Sequence, residues 1–243
     1  MLLDQGFIRT NNIREYRVET KFDSKKNDVY KIRAVHLNGE NKAYIVKVYA
    51  EPHNAADREA ELLTGLHDRG VAVPELYYRG ENFLVLEFLN GPTLLDIISD
   101  LEGRPDSGPV YTGSYGLAVH LCRWLKDFYR AVPEITGSST IFWDMNLRNF
   151  LITYRVYGLD FEDCREGCIE EDAGRLFSYI ITYLPAFTSY KMRFAKQIID
   201  ILGKEMDLDS ERVAWEIGKE LKAIGVRRNM EIPEGIVKSA LTY

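Results

Sequence analysis

The hydrophobic pattern of this chain changes its period near residue 90, and that change constrains the fold more than any other feature. Before it, three strand-like runs occur at Tyr16–Lys21, Val29–Leu37 and Ala43–Tyr49, with Asn38-Gly39 between the last two. Asn-Gly is the strongest short-range hairpin signal, because both residues tolerate the positive φ of a type I′ turn. The sequence therefore predicts that these strands are antiparallel neighbours.

The first part of the chain also contains signals for one helix and two further strands. A helix is predicted over Asn54–Asp68, where three leucines share one face. Short strands are predicted around Glu75–Tyr78 and Phe83–Phe88. The Asn-Gly-Pro break at 90–92 then ends this β-rich part.

Beyond the break the pattern is mainly helical, and it is interrupted once by two short apolar runs at 150–153 and 156–159 that predict a hairpin. Helices are predicted at Ser114–Val132, Ala173–Leu184, Tyr190–Leu202 and Ser210–Ile224. We predict an α+β chain of two lobes: residues 1–89 form a small antiparallel β lobe with one helix, and residues 90–243 form a larger, mainly helical lobe.

Composition excludes several classes of protein. With 46% hydrophobic and 28% charged residues in 243 positions, the chain can bury a core, which excludes disordered and low-complexity classes. No apolar run reaches the roughly 18 residues of a membrane helix, and no signal peptide is recognisable. Lysine and arginine are scattered and the net charge is −6, which argues against a nucleic-acid partner. We expect a soluble, cytoplasmic protein, and its oligomeric state stays open.

The acidic residues are concentrated in one stretch. Between Asp160 and Asp172 there are seven acids and one base, Arg165, so this stretch carries the whole net charge of −6. Such a stretch suggests a local task, either holding a divalent cation or attracting a cationic substrate such as an amine-bearing sugar or alcohol. A solvated acidic loop is the alternative.

Lys47 lies inside the apolar run Tyr44–Tyr49, where a partly buried ammonium is costly unless it meets an anion. Glu59 lies on the leucine face of the predicted helix and should point inward, whereas Glu61 is about 200° further round and should face water. A strand lysine and an inward helix glutamate form the pair with which kinases hold nucleotide phosphates. An ordinary structural ion pair is the alternative.

A second group of polar residues begins at Asp144. Asn149 follows five positions later, and Asp160 comes eleven positions after that, across the predicted hairpin. This spacing predicts that all three side chains lie at one edge of the two-stranded hairpin. Phosphoryl transfer needs a carboxylate beside the attacking hydroxyl, which suits Asp144, and oxygen ligands for Mg²⁺, which suit Asn149 and Asp160. Taken singly, each of them could be a turn residue.

In combination, these motifs resemble the protein-kinase-like superfamily, and within it the aminoglycoside phosphotransferase and choline kinase group of small-molecule kinases. Asp144–Asn149 is similar to the family's His-Gly-Asp-x-x-x-x-Asn loop, and Asp160–Asp163 to its Asp-Phe-Glu-Asp metal motif. Leu84–Gly91 resembles the hinge whose backbone receives adenine, near Glu87 and Leu89. The resemblance covers roughly residues 15 to 180, and its motifs are specific in combination.

The resemblance implies ATP and Mg²⁺ as cofactors and transfer of the γ-phosphoryl group to a hydroxyl of an aminoglycoside-, choline- or sugar-like molecule. Glu171-Asp172-Ala173, which resembles the start of the family's next helix, follows Asp160 so closely that the activation segment on which protein kinases bind peptides has no room, and no Ala-Pro-Glu motif occurs. The implied roles are Asp144 as base or hydroxyl positioner, Arg148 at the transferring phosphoryl group, Lys47, Glu59 and Ser24 at the phosphates, Glu87 and Leu89 at adenine, and Asn149 and Asp160 on the metal.

Two departures from the family pattern keep other functions open. Phe142 and Trp143 stand at the positions of the family's His and Gly, and we expect Trp143 to pack in the core. The phosphate loop, Phe22–Asp28, contains no glycine, so Ser24, Lys25 and Lys26 would have to supply side-chain donors instead. These departures suggest a catalytically impaired pseudokinase that binds a nucleotide or a partner. The run Glu171–Ser178 also resembles lipopolysaccharide-core and other saccharide kinases.

Overall fold

The structure is a computed structural model that describes residues 2–24, 26–50, 55–103, 110–236 and 238. It contains two compact units, Met1–Asn90 with Asp160–Glu162, and Gly91–Leu159 with Asp163–Tyr243. The first unit is built around an antiparallel sheet and the second is mainly helical. The α+β class predicted from the change of period is therefore confirmed.

The first unit has a sheet of five antiparallel strands. The strands are β1 Ile13–Phe22, β2 Asp28–His36, β3 Asn41–Val48, β4 Leu76–Arg79 and β5 Phe83–Glu87, in the order β1-β2-β3-β5-β4. Helix α1, Gln5–Thr10, precedes the sheet, and helix α2, Ala55–Asp68, connects β3 to β4. All five strands and α2 agree with the sequence prediction, although Asn54, the expected start of α2, lies outside the described residues. The short helix α1 was not predicted.

The hairpin between β2 and β3 has a different turn from the one predicted. Gly39 has a φ of +85°, but Asn38 is not among the residues with positive φ. The His36 N–H donates to the Glu40 carbonyl at 2.8 Å, and the Gly39 N–H donates to the His36 carbonyl at 2.9 Å. Residues 37–39 therefore form a three-residue loop with glycine in the left-handed region, instead of a two-residue type I′ turn.

Side-chain alternation along β3 places Lys47 on the face opposite the hydrophobic core of this unit. Tyr44 and Val46 are buried in the main hydrophobic core of the first unit, together with Phe7 of α1 and Val85 of β5. Because side chains alternate along a strand, Lys47 belongs to the opposite face of β3. The sheet thus presents the lysine on the face that does not carry this core.

In the part of the chain that the structure describes, the second unit contains five named helices with short strands between them. The helices are α3 Leu94–Glu102, α4 Val110–Thr136, α5 Ile169–Thr182, α6 Ser189–Met206 and α7 Ser210–Arg228, and the strands are β6 Thr140–Ile141, β7 Phe150–Ile152, β8 Val156–Gly158 and β9 Arg165–Glu166. The predicted hairpin is β7 paired with β8, and β6 pairs with β9. Helix α5 packs against α6 and α7, and α4 packs against α6. None of the described helices is both long and apolar enough to cross a membrane.

Candidate active site

Three carboxylates surround the ammonium of Lys47 in the first unit. Its Nζ lies 2.7 Å from Glu59 Oε2, 2.5 Å from Asp160 Oδ1 and 3.2 Å from Glu162 Oε2. The predicted pairing of a β3 lysine with an α2 glutamate is confirmed, and Asp160 joins them from 113 positions further along the chain. We call Lys47, Glu59, Asp160 and Glu162 the Lys47 cluster.

Glu59 is the most deeply buried member of the cluster, with 1% of its surface exposed. Its carboxylate also accepts a hydrogen bond from the Tyr49 hydroxyl at 2.5 Å and one from the Phe161 N–H at 3.2 Å. Glu61 is exposed, as the helical pattern predicted. Tyr49 was not singled out from the sequence, although its position two residues after Lys47 places both on one face of the strand.

The charges of the cluster do not balance, because three carboxylates meet one ammonium. Burial alone would lower the pKa of Lys47, but Glu59, Asp160 and Glu162 outweigh it and raise that pKa, so the ammonium stays charged. Burial raises the pKa of the Glu59 carboxyl, and the ammonium of Lys47 opposes this rise. The surplus of negative charge favours binding of a further cation.

The loop before β2 contacts the cluster through Glu162. Lys26 Nζ lies 3.7 Å from Glu162 Oε1, and the Asn27 side-chain amide donates to Glu162 Oε2. Ser24 is exposed and has no hydrogen bond or ion pair with the described residues, and Lys25 lies outside them. Asn27 and Glu162 are additions to the predicted site.

The predicted hinge includes the end of β5 and the residues that follow it. The Glu87 N–H donates to the Glu75 carbonyl at 2.8 Å, and the Glu87 carboxylate accepts from the Glu75 N–H at 3.3 Å. Leu89 lies just beyond the strand and is half-buried. Its backbone N–H has no hydrogen-bond partner within the described part of the chain.

In the second unit, Asp144 lies in a loop between β6 and β7 that is fixed by its own amides. The Asn149 side-chain amide donates to Asp144 Oδ2 at 3.0 Å and to the Asp144 carbonyl at 3.1 Å. The Asn146 N–H lies 3.3 Å from Asp144 Oδ1. The two predicted site residues Asp144 and Asn149 therefore contact each other, and these hydrogen bonds fix the orientation of the Asp144 carboxylate.

Asp172 of α5 supports this loop from behind. Its buried carboxylate accepts hydrogen bonds from the Phe142 N–H at 2.7 Å, the Trp143 N–H at 2.9 Å and the Tyr129 hydroxyl at 2.8 Å. Burial raises the pKa of Asp172 to about 6, although these hydrogen bonds oppose the rise. The backbone immediately before Asp144 is therefore held by a carboxylate from another element.

Phe142 and Trp143, the two residues before Asp144, differ in their packing and in their backbone conformation. The Phe142 ring is fully buried and packs at 5.5 Å to 5.7 Å, between ring centroids, against Trp124, Phe128 and Phe150. Trp143 has a φ of +68°, a conformation in which glycine is the usual residue. Its ring is half-buried against the guanidinium groups of Arg165 and Arg175 instead of packing in the core, which corrects the sequence expectation.

The predicted metal ligands, Asp160 and Asn149, offer donor atoms that suit Mg²⁺. Asp160 belongs to a group of three acids, with Glu59 and Glu162, whose ligand oxygens lie within 4.8 Å of one another. Its side chain is the most accessible of the three, at 41% exposed. In the second unit, the Asn149 amide nitrogen is used by Asp144, so the amide oxygen is the atom available to a cation. Hard oxygen donors of this kind fit Mg²⁺.

Arg148 follows Asp144 by four positions and is exposed. Its guanidinium carbon lies 5.9 Å from the centre of the Tyr183 ring, and the Tyr183 hydroxyl donates to Asn146 Oδ1 at 2.7 Å. The end of α5 is therefore attached to the Asp144 loop. Tyr183 was missed by the sequence reasoning, which offered no signal for a contact 37 positions away.

No protein-family model matches the sequence, and no curated protein sequence does. Solved structures do match. The streptomycin–ATP–APH(2″)-IIa ternary complex has a TM-score of 0.59 and 12% identity over 93% of this chain and 90% of that chain. The gentamicin–APH(2″)-IIa complex has a TM-score of 0.50 and 13% identity over 99% of this chain and 95% of that chain. The chain therefore has the protein-kinase-like fold of the aminoglycoside phosphotransferases, as its motifs predicted.

Proposed function

We propose that this protein is an ATP- and Mg²⁺-dependent phosphotransferase that transfers the γ-phosphoryl group to a hydroxyl of a small molecule. One observation carries the proposal: the buried ammonium of Lys47 contacts Glu59 and Asp160, which lie 12 and 113 positions away in the chain. Phosphoryl transfer depends mainly on positioning and on charge stabilisation. A lysine fixed between a helix carboxylate and an accessible aspartate provides both.

In this proposal residues 1–89 bind the nucleotide. Glu59 orients the Lys47 ammonium, which binds phosphate oxygens, and Ser24 donates from the phosphate loop. Adenine is bound by the backbone near Glu87 and Leu89. The backbone N–H of Leu89, which has no partner among the described residues, supports this assignment, because a half-buried N–H normally has one.

Residues 90–243 carry the catalytic and acceptor-binding groups. Asp144, held by Asn149 and the Asn146 N–H, positions the acceptor hydroxyl and receives its proton. Arg148 offsets negative charge on the transferring phosphoryl group. Asn149 and Asp160 would hold Mg²⁺, which when bound neutralises phosphate charge.

Release of ADP by the purified protein, with and without Mg²⁺ and over a panel of hydroxyl acceptors, tests the proposal. We expect Asp144→Asn to lower turnover about a thousandfold while ATP binding is retained, because a positioned proton acceptor contributes on that scale. We expect Lys47→Met to weaken ATP binding at least about tenfold, since a charge-assisted contact is lost. Asp200→Asn, an exposed carboxylate of α6, serves as the control and should leave turnover unchanged.

Several outcomes would overturn the proposal. Turnover that survives Asp144→Asn would remove Asp144 from its role, and ATP binding that survives Lys47→Met in a protein still folded by circular dichroism would remove the nucleotide site. ATP binding without turnover of any acceptor would favour the pseudokinase.

A further inference from the structure

Two guanidinium groups lie near the Asp144 loop of the second unit at the same aromatic ring. Arg228 of α7 lies 5.3 Å, and Arg148 5.9 Å, from the centre of the Tyr183 ring. The Tyr183 hydroxyl donates to Asn146, whose N–H lies 3.3 Å from Asp144 Oδ1. A short series of contacts therefore links the end of α7 to the predicted catalytic carboxylate.

These two arginines lack acidic partners. Arg228 Nη1 lies 3.3 Å from the Thr182 carbonyl and 3.2 Å from its hydroxyl, so neutral oxygens hold it. Over the described ranges, neither Arg228 nor Arg148 forms an ion pair, and both are exposed. Their charges are therefore available to a ligand.

Neighbouring arginines add to the positive charge. Arg175 and Arg227 lie 3.0 Å and 2.9 Å from the oxygens of a single buried carboxylate, Glu220. Burial lowers the pKa of Arg227, but Glu220, Tyr179 and Asp144 outweigh it and raise that pKa. Because Asp144 contributes to the raised pKa of Arg227, its carboxylate lies within electrostatic range of the Arg227 guanidinium. Arg175 and Arg227 therefore share the carboxylate of Glu220.

Within the acidic stretch that predicted an amine-bearing acceptor, the buried Asp172 partly offsets the charge of Arg175. Five of its seven acids are engaged by groups other than Arg148 and Arg228. Asp160 and Glu162 contact Lys47 in the first unit. Glu170 accepts a hydrogen bond from the Asp209 N–H at the start of α7, and Glu171 accepts one from the Cys168 N–H at the start of α5. Asp172 is buried and accepts from the Phe142 N–H. Arginine and tyrosine side chains, among them Arg227, Tyr179 and Tyr183, lie within electrostatic range of Asp144.

We propose that the acceptor carries an anionic group, a carboxylate or a phosphate, which Arg228 binds while the acceptor hydroxyl lies at Asp144. This inference rests on the proposed phosphotransferase function. A guanidinium presents parallel N–H donors that match both kinds of anion. Arg148 and Arg227 add attraction for an anion and repel a polycation such as an aminoglycoside.

Acceptors that share one sugar ring and differ in a single charged substituent test this inference. Isothermal titration calorimetry compares glucose 6-phosphate, glucuronate, glucose and glucosamine on the full chain, and the first two separate phosphate from carboxylate. We expect an anionic member to bind at least about tenfold more tightly than glucose, with glucosamine weakest, and Arg228→Gln to remove most of that difference. Arg212→Gln, at the other end of α7, is the matched control and should retain it. Lys47→Met should retain it too, because the anion is not bound at the phosphate site.

Three outcomes would overturn the inference: glucose or glucosamine binding as tightly as both anions, no binding of either anion, or binding of the anions that is lost in Lys47→Met and kept in Arg228→Gln. ADP release measured with the same compounds separates the two proposals. Anion binding that depends on Arg228 without any turnover would contradict the phosphotransferase function alone. Turnover of glucosamine that is insensitive to Arg228→Gln would contradict the anionic acceptor alone.

Discussion

The Lys47 cluster and the Asp144 loop are held in place by different interactions. In the first unit, the polar side chains contact one another directly, and Lys47 is only 6% exposed. In the second unit, the side chain of Asp144 is only half-buried, and its backbone is held by the buried Asp172 and by the aromatic packing of Phe142. The first arrangement depends on charge pairing, whereas the second depends on backbone hydrogen bonds and packing.

This difference explains how the loop accommodates residues that depart from the family pattern. Asp172 binds the backbone N–H groups of Phe142 and Trp143, which any residue other than proline provides. The side chains at these two positions can therefore vary while the support remains. The Lys47 cluster has less freedom, because its central contacts are made by charged side chains.

The largest effect is expected from Lys47→Met. This change leaves the carboxylates of Glu59, Asp160 and Glu162 without a counter-charge, so it should lower the free energy of unfolding by about 3 to 5 kcal/mol. Urea unfolding at neutral pH measures the effect. Lys42→Met, on the same strand but over the Tyr77 ring, is the control and should cost no more than about 1 kcal/mol. Equal losses in both variants would show that charge pairing does not hold the cluster.

A pH-dependent effect is expected from Asp172. Its folded-state pKa of about 6 exceeds the ordinary value of 3.8, so the folded state binds more protons than the unfolded state between these values. The free energy of unfolding therefore falls as pH rises through this window, by about 3 kcal/mol from this group. The difference in stability between the natural protein and Asp172→Asn, which cannot titrate, should show this fall between about pH 4 and about pH 7. A difference that is constant or rises with pH would contradict it.

A smaller effect is expected from Tyr49→Phe. This change removes the hydroxyl that donates to the Glu59 carboxylate and should lower the free energy of unfolding by about 1.5 to 3 kcal/mol, the range for a hydrogen bond to a charged group. Tyr115→Phe is the control, because that ring is 53% exposed. It should change stability by less than about 0.5 kcal/mol. If the two variants behave alike, Tyr49 does not stabilise the cluster.

Elements with a strong local signal were predictable, and short ones were less so. The strands of the first unit alternate clearly, and the leucine face defined α2. Helix α1 has six residues, too few to show a helical period. Helix α3 was missed although Thr93 and Asp96 form a capping box at its start, a signal that can be read from sequence.

The site could be predicted in part for the same reason. Lys47 and Glu59 could be paired because each lies on a definite face of a regular element, and a buried ammonium requires an anion. Asp144 and Asn149 belong to one short loop, so their contact is local. Arg228 could not be placed beside Tyr183, because Arg228 ends α7 and Tyr183 follows α5, and nothing in either helix specifies how the two pack.

The sequence by itself determined which face of each strand and helix carries its polar side chains, and that two groups of polar residues suited to phosphoryl transfer occur in one order. Only the tertiary structure decided that Asp172 holds the Asp144 loop and that Arg148 and Arg228 meet near it at the Tyr183 ring. The physical reason is that local periodicity is a property of a few neighbouring residues. The contacts of α5 with α7 depend on the offset and angle at which many nonpolar side chains interdigitate, and no short segment encodes them.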